Sequence, residues 1–232
     1  MPNPTRRTAL AQLSAATLAG CVGGGSNDDD SAANDDDSVA NDDDSVANDD
    51  DSAAGCEPSS PATEGPYYPE EPPVRADISE GIAGVTLDVD LQIVDSACAP
   101  LQGAEVDLWC ADKDGRYSAT EDFGTQNEGW QRGQQTTDAD GRVRFTCVFP
   151  GSYPGRCMHL HVKVRADGHP ELTTQTYFPD DVGAEVLTDP DYMGAAQTVN
   201  AADGIFAADT LMDVQGDNAS GWSAVAVLAV AD

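Results

Sequence analysis

Two of the chain's three histidines stand two positions apart in PGSYPGRCMHLHVKV, residues 150–164. In an extended chain, residues i and i+2 project from the same face about 7 Å apart, so His159 and His161 can reach one metal ion together. A single such pair does not define a site, because strands commonly carry exposed or hydrogen-bonded histidines. The neighbourhood adds to it: Tyr153 lies upstream in a turn framed by Pro and Gly, with Arg156 between them. Imidazoles alone suit zinc, copper or iron. Phenolate donors narrow the choice to a hard trivalent ion, since a charged oxygen favours Fe(III) and the metal displaces the phenolic proton.

The elements that must position these groups have a period of two. In VTLDVDLQIV, Val85, Leu87, Val89, Leu91 and Ile93 alternate with Thr86, Asp88, Asp90 and Gln92, the mark of a half-buried strand. GAEVDLWC and GRVRFTCVF behave likewise. In MHLHVKVR one face carries Leu160, Val162 and Val164, and the other carries His159, His161, Lys163 and Arg165. ELTTQTYF and WSAVAVLAV complete the set, with DKDG, DADG and PGSYPG as turns. No long amphipathic helix interrupts them. The pattern predicts an all-β fold, an antiparallel β-sandwich, over residues 56–232.

Residues 1–21 read as an export signal, with Arg6-Arg7, a short apolar run and small residues before Cys21. The paired arginines resemble a twin-arginine signal, which exports folded passengers, and LAGC resembles a lipoprotein processing box that acylates Cys21. Residues 22–55 hold four copies of an Asp-rich heptad whose three Asp per copy leave no seam to bury. This predicts a disordered, extended linker reaching on the order of 100 Å. The Asp clusters lack the spacing and turn glycine of a dedicated calcium loop. The expected location is therefore extracytoplasmic, lipid-anchored to the outer face of the cell membrane.

The net charge of −31 excludes attraction to nucleic acid or to an anionic membrane surface, leaving the lipid anchor as the expected membrane contact. Lys113 and Lys163 are the two lysines, and such an acid-rich, lysine-poor composition resembles proteins adapted to concentrated salt. Cys56, Cys98, Cys110, Cys147 and Cys157 remain beyond Cys21, an odd number with no zinc or vicinal redox spacing. Export permits disulfides, whose pairing stays open, and buried free thiols are an alternative for Cys110 and Cys147.

TEGPYYP, the stretch RADISEGIAGVTLDVDLQIVDSACAPLQGAEVDLW, DGRYS, WQRGQQTTDADGRVRF, PGSYPGRCMHLHVKV and LTTQTYFPDD, in that order, resemble the intradiol ring-cleavage dioxygenases, particularly the single-domain, protocatechuate-like secreted branch. The resemblance implies one non-haem Fe(III) held by Tyr117 and His161 as equatorial ligands and by Tyr153 and His159 as axial ones. It implies a small aromatic diol and O2 as substrates, with the ring opened between the two hydroxyl-bearing carbons to a muconate-type diacid. Tyr153 would also accept a catechol proton, and Arg156 would stabilise negative charge developing on the substrate. Gln175, Thr63, Pro66 and Tyr67 match residues lining the pocket or its entrance.

Each residue also has an ordinary reading: Tyr117 and Tyr153 as turn aromatics, Arg156 as a surface ion-pair partner, Gln175 as a solvent-facing strand residue. Trp109 and Trp130 read as packing, His169 as a loop histidine. The sequence departs from the family at Cys110, commonly His, and at Gly155, where protocatechuate enzymes place an aromatic wall. The alternative function is a non-catalytic, transthyretin-like surface binding module, and the sequence leaves the oligomeric state and the particular catechol open.

Overall fold

The computed structural model describes residues 55–192 and 195–232. The expected signal, Cys21 and almost all of the Asp-rich linker lie outside the described residues. Two four-stranded sheets face each other. One has the order β4-β1-β8-β7 and the other β3-β2-β5-β6. The strands are β1 (Thr86–Val94), β2 (Glu105–Trp109), β3 (Arg132–Thr136), β4 (Arg142–Val148), β5 (His159–Arg165), β6 (Leu172–Tyr177), β7 (Asp213–Asp217) and β8 (Gly221–Ala229). One short helix, α1 (Asp180–Val186), follows β6. Among the described residues no helix is long and apolar enough to cross a membrane.

The inward residues of the alternating strands make one core. Leu87, Leu91, Phe145, Cys147, Leu160 and Val162 are all buried in it, together with Ile78, Phe178 and Trp222 from flanking segments and β8. The sandwich departs from a purely antiparallel one at β1 and β8, which run parallel from Leu87 opposite Trp222 to Val94 opposite Ala229. These strands come from opposite ends of the fold, so no hairpin dictates their direction, and the whole second sheet serves as the crossover. Two strands escape the sequence pattern. β3, RGQQT, is polar, and its Gly133 sits where a Cβ would fall 2.4 Å from Ile78. β7, DVQGD, packs only the half-buried Val214 against the core and is otherwise exposed, so it shows no alternation.

The outer face of β5 is not exposed. His159, His161 and Lys163 are buried beside Leu160 and Val162, because the segment from Ser59 to Ala76 runs across that sheet as a strap. Ala62 N–H donates to the Thr173 carbonyl at 2.9 Å, Thr174 Oγ1 to Ser60 at 2.7 Å, and Gln134 N–H to Pro73 at 2.9 Å. The strap starts at a disulfide between Cys56 and Cys98. Cys110, Cys147 and Cys157 are buried free thiols.

Opening the bond with Cys56→Ser and Cys98→Ser releases the start of the strap, a loss of about 2–4 kcal/mol by loop-closure arguments. Guanidinium unfolding of oxidised, reduced and double-Ser protein checks this: the last two should coincide, below the first.

Candidate metal centre and pocket

β5 places both histidines and two glycine-bearing loops bring the tyrosines to them. Tyr117 lies in the loop after β2, whose first turn Asp112 organises by accepting the N–H groups of Asp114 and Arg116, both at 2.9 Å. Thr125 Oγ1 then fixes the Tyr117 carbonyl at 2.6 Å. Tyr153 starts a tight turn, Tyr-Pro-Gly-Arg, in which Arg156 N–H donates to the Tyr153 carbonyl at 2.9 Å and Gly155 takes φ +80°. The two loops touch through glycines. A Cβ on Gly151 would lie 2.2 Å from the Lys113 carbonyl, and one on Gly115 3.0 Å from Tyr153 Cβ.

Four side-chain atoms converge as a result. Tyr117 Oη is 3.1 Å from His161 Nε2, and Tyr153 Oη is 3.1 Å from His159 Nε2. The ring closes with 3.4 Å between the two phenol oxygens and 3.3 Å between the two imidazole nitrogens. Tyr117, His159 and His161 are at most 3% exposed, while Tyr153 is half-buried at the cavity wall. A point equidistant from all four atoms lies about 2.0–2.3 Å from each, for a puckered or a flat ring, matching ordinary metal–nitrogen and metal–oxygen bonds. Among the described residues no group of three His, Cys, Asp or Glu could hold a metal, so a centre here needs the phenols.

The electrostatics suit neutral nitrogen donors. His159 Nδ1 lies 2.7 Å from the Cys157 carbonyl, which can only accept, so Nδ1 carries the proton and Nε2 presents its lone pair to the ring. Burial, with Arg156 adding to it, pushes the His159 pKa down to about 4. His161 is also held well below the usual imidazole range, by burial first and then by His159, and its Nδ1 has no hydrogen-bond partner. Trp109 stacks on the His161 ring at 4.8 Å and 14°, so this packing residue orients the imidazole. Burial raises both phenols, Tyr117 the more strongly. In the metal-free protein both therefore remain protonated at neutral pH, and a metal must displace those protons.

Tyr117, Tyr153 and His161 of the ring face a cavity of about 410 Å3 that is also lined by Thr63, Pro66, Tyr67, Arg156 and Ile205. Tyr67 stacks on Tyr117 at 4.7 Å and donates to Asp122 at 3.1 Å. The Thr63 carbonyl accepts from Gln175 Nε2 at 2.9 Å. Gln175 itself is fully buried and does not line the cavity; its Oε1 accepts from Arg156, so it stands one layer behind. The expectation of a lining glutamine is corrected accordingly: β6 pairs Gln175 with His161, and Arg156 fills the space between Gln175 and the pocket. A side chain at Gly155 would begin in open space. His169 stays outside the site, with Nδ1 3.2 Å from the Ala231 carbonyl, and Trp130 Nε1 donates to Glu128.

Sequence reasoning missed Asp203, Ile205 and Arg132. Arg132 donates to Ser118 Oγ, to the Ser118 carbonyl and to the Tyr67 carbonyl, tying the Tyr117 loop to the strap. It opens the polar β3, which carries no period-two signal to mark it. Asp203 and Ile205 lie in a non-periodic loop of an acid-rich chain, where nothing marks them.

Residues 63–218 match the family described as Dioxygenase. A solved intradiol ring-cleavage dioxygenase from Tetranychus urticae shares 30% identity, covering 75% of this chain and 94% of its own at a TM-score of 0.68. The dioxygenase domain of a carbohydrate-binding fusion protein from Streptomyces sp. SirexAA-E shares 33%, covering 75% and 97% at 0.60. Chlorocatechol 1,2-dioxygenase of Pseudomonas sp. (strain P51) is 34% identical over 141 residues, 52% of this chain and 55% of that protein. The chain thus spans about half the length of the chlorocatechol 1,2-dioxygenases it matches. With this fold and these matches, the chain belongs to the intradiol ring-cleavage dioxygenase family.

The depressed His159 pKa makes a signed prediction for the metal-free protein. The unfolded imidazole binds a proton below about 6.5 and the folded one only below about 4, so stability from this group is complete above pH 6.5 and is lost as pH falls toward 4. The full loss is roughly 3 kcal/mol. The difference in pH slope between wild type and His159→Gln, by urea unfolding after chelation, isolates it from the carboxylates.

Proposed function

We propose that this protein is a non-haem Fe(III) intradiol dioxygenase of catechol-type rings, exported and held at the outer face of the cell membrane by a lipid on Cys21. The observation that carries the chemistry is the ring of two phenol oxygens and two imidazole nitrogens spaced 3.1–3.4 Å apart. Relatives named as catechol, chlorocatechol and hydroxyquinol 1,2-dioxygenases support the substrate class. The Cys56–Cys98 disulfide supports an oxidising compartment. The acidic, lysine-poor composition supports work in concentrated salt.

Tyr117, Tyr153, His159 and His161 would hold the iron, which supplies the Lewis-acid charge that makes a catecholate reactive toward O2 between its oxygen-bearing carbons. The residues divide the remaining work. Tyr117 and the histidines, almost fully enclosed, keep the donor geometry fixed. Tyr153, at the cavity wall with Arg156 Nη1 3.4 Å from its oxygen, is the residue whose phenolate, once the metal has displaced its own proton, would be placed to take a substrate proton. Arg156 presents fixed guanidinium N–H donors beside the ring, where they can stabilise negative charge developing in a water-poor pocket. Pro66, Tyr67 and Ile205 enclose the aromatic face, and Thr63, held by Gln175, sets the entrance.

Iron-loaded protein should be red-brown from tyrosinate-to-iron charge transfer. Tyr117→Phe and Tyr153→Phe should each weaken that absorption and cut O2 uptake with catechol at least a hundredfold. Colourless protein after ferric reconstitution, or uptake that survives complete iron removal, would count against the reading.

Anchoring has its own readout. Cys21→Ser should move the protein from the membrane fraction to the soluble extracellular fraction without changing its oxygen uptake.

A further inference from the structure

We propose that Asp203 positions Arg156 and cancels its charge in the pocket, and that it orients His159 through Cys157. This rests on the dioxygenase reading for its catalytic consequences, though not for its structural ones.

Asp203 follows a short 3₁₀ turn, Asn200–Ala202, that is pinned to the end of β6 and the start of α1. Asn200 Nδ2 donates to the Phe178 carbonyl and its N–H to Asp180 Oδ1, both at 2.8 Å. The Asp203 side chain is fully enclosed and accepts from three directions. Arg156 Nε reaches Oδ1 at 3.1 Å and Oδ2 at 2.9 Å. Cys157 donates both its N–H, at 3.0 Å, and its thiol, at 3.2 Å, to Oδ2. Ile205 N–H donates to Oδ1 at 2.9 Å, so the same carboxylate sets a wall of the cavity.

Two consequences follow for the site. With Nε on Asp203 and Nη2 on Gln175, Arg156 keeps Nη1 directed at Tyr153 Oη, 3.4 Å away. Arg156 cannot swing without breaking a paired, little-exposed contact, its side chain being 15% exposed. Cys157 is fixed at its N–H by Asp203 and offers its carbonyl to His159 Nδ1, so one carboxylate governs both the pocket cation and the tautomer of a ligand.

The charge argument concerns specificity. The Arg156 guanidinium meets a carboxylate in a poorly solvated place, so the pocket receives an oriented donor rather than a net positive charge. Lys163, the next cation along β5, is likewise held by Glu64 at 2.6 Å and Glu171 at 3.4 Å. Arg132, which has no carboxylate partner, stands behind Tyr67 and does not line the cavity, so a carboxylate on the substrate ring meets no uncompensated side-chain cation at the cavity wall, and wild type should prefer catechols without an anionic substituent.

Asp203→Asn keeps the shape and removes the charge. In iron-loaded enzyme, kcat for catechol should fall tenfold or more with iron content retained, while the kcat/KM ratio of protocatechuate to catechol rises at least tenfold. Arg156→Gln, which removes the guanidinium and leaves the Asp203 carboxylate uncompensated, should move that ratio the other way, below the wild-type value. Asp203→Glu, which keeps the charge should the Asn variant fold poorly, should lower kcat and leave the ratio unmoved. In metal-free protein, 15N-resolved imidazole spectra should show His159 as the Nδ1–H tautomer in wild type and as a mixture in Asp203→Asn. An unchanged ratio together with an unchanged His159 tautomer overturns the proposal. If wild type oxidises neither diol, the dioxygenase reading fails, and the tautomer alone decides the role of Asp203.

Discussion

The centre requires two phenols and two imidazoles to be held around one point, away from water, with no charge of their own to neutralise in the metal-free state. Burial of such groups is costly unless each finds a partner. Here they partner one another, in a closed ring of 3.1–3.4 Å contacts. That ring tolerates little movement, because an ångström of drift in one loop leaves a buried hydroxyl or nitrogen unpaired. Both histidines accordingly stand on the central β5 rather than on a loop, and both tyrosine loops are locked by close glycine contacts.

Enclosure comes from the strap rather than from the sandwich itself. A two-sheet sandwich buries only its inward faces, yet the histidines point outward from β5. The segment from Ser59 to Ala76 covers them through main-chain bonds to β6 and β3, and Tyr67 then lies flat on Tyr117. Arg132 ties strap and Tyr117 loop together with donors to both. Its burial and lack of a carboxylate partner pull its pKa down to about 10, still leaving the guanidinium charged at neutral pH. The same segment that closes the site thus also supplies its entrance residues, Thr63 and Pro66.

Alternation made β1, β2, β4, β5 and β8 legible in the sequence because each has one face in a continuous core. β3 and β7 were not legible, since an edge strand that buries only an adjacent Arg-Gly pair, or half-buries a single valine, carries no period-two signal. The four ring residues stood out through their motifs, whose residue types are rare in strands and turns unless something uses them. Asp203 did not, because one carboxylate among 42 acidic residues has no local mark; only the tertiary path of a loop brings it to Arg156. Gln175 was read at the right place but one layer too near the cavity, since a strand register fixes the face of a residue and not what lies in front of it.

The scarcity of cations gives the arrangement a further logic. Every described Arg and Lys has a hydrogen-bond or ion-pair partner: Arg75 with Glu80, Lys113 and Arg116 at the Asp112 turn, Arg142 and Arg144 on Asp90, Arg165 on Asp107, and the others at the site. A chain at −31 has carboxylates in excess, so an exposed cation would find many partners and define none. The cations that define geometry at the site, Arg132 and Arg156, have little access to solvent, so salt and competing acid reach them poorly. Concentrated salt could then screen the repulsion of the acidic surface while leaving the pocket contacts intact, because screening acts between solvent-exposed charges and falls away in the interior.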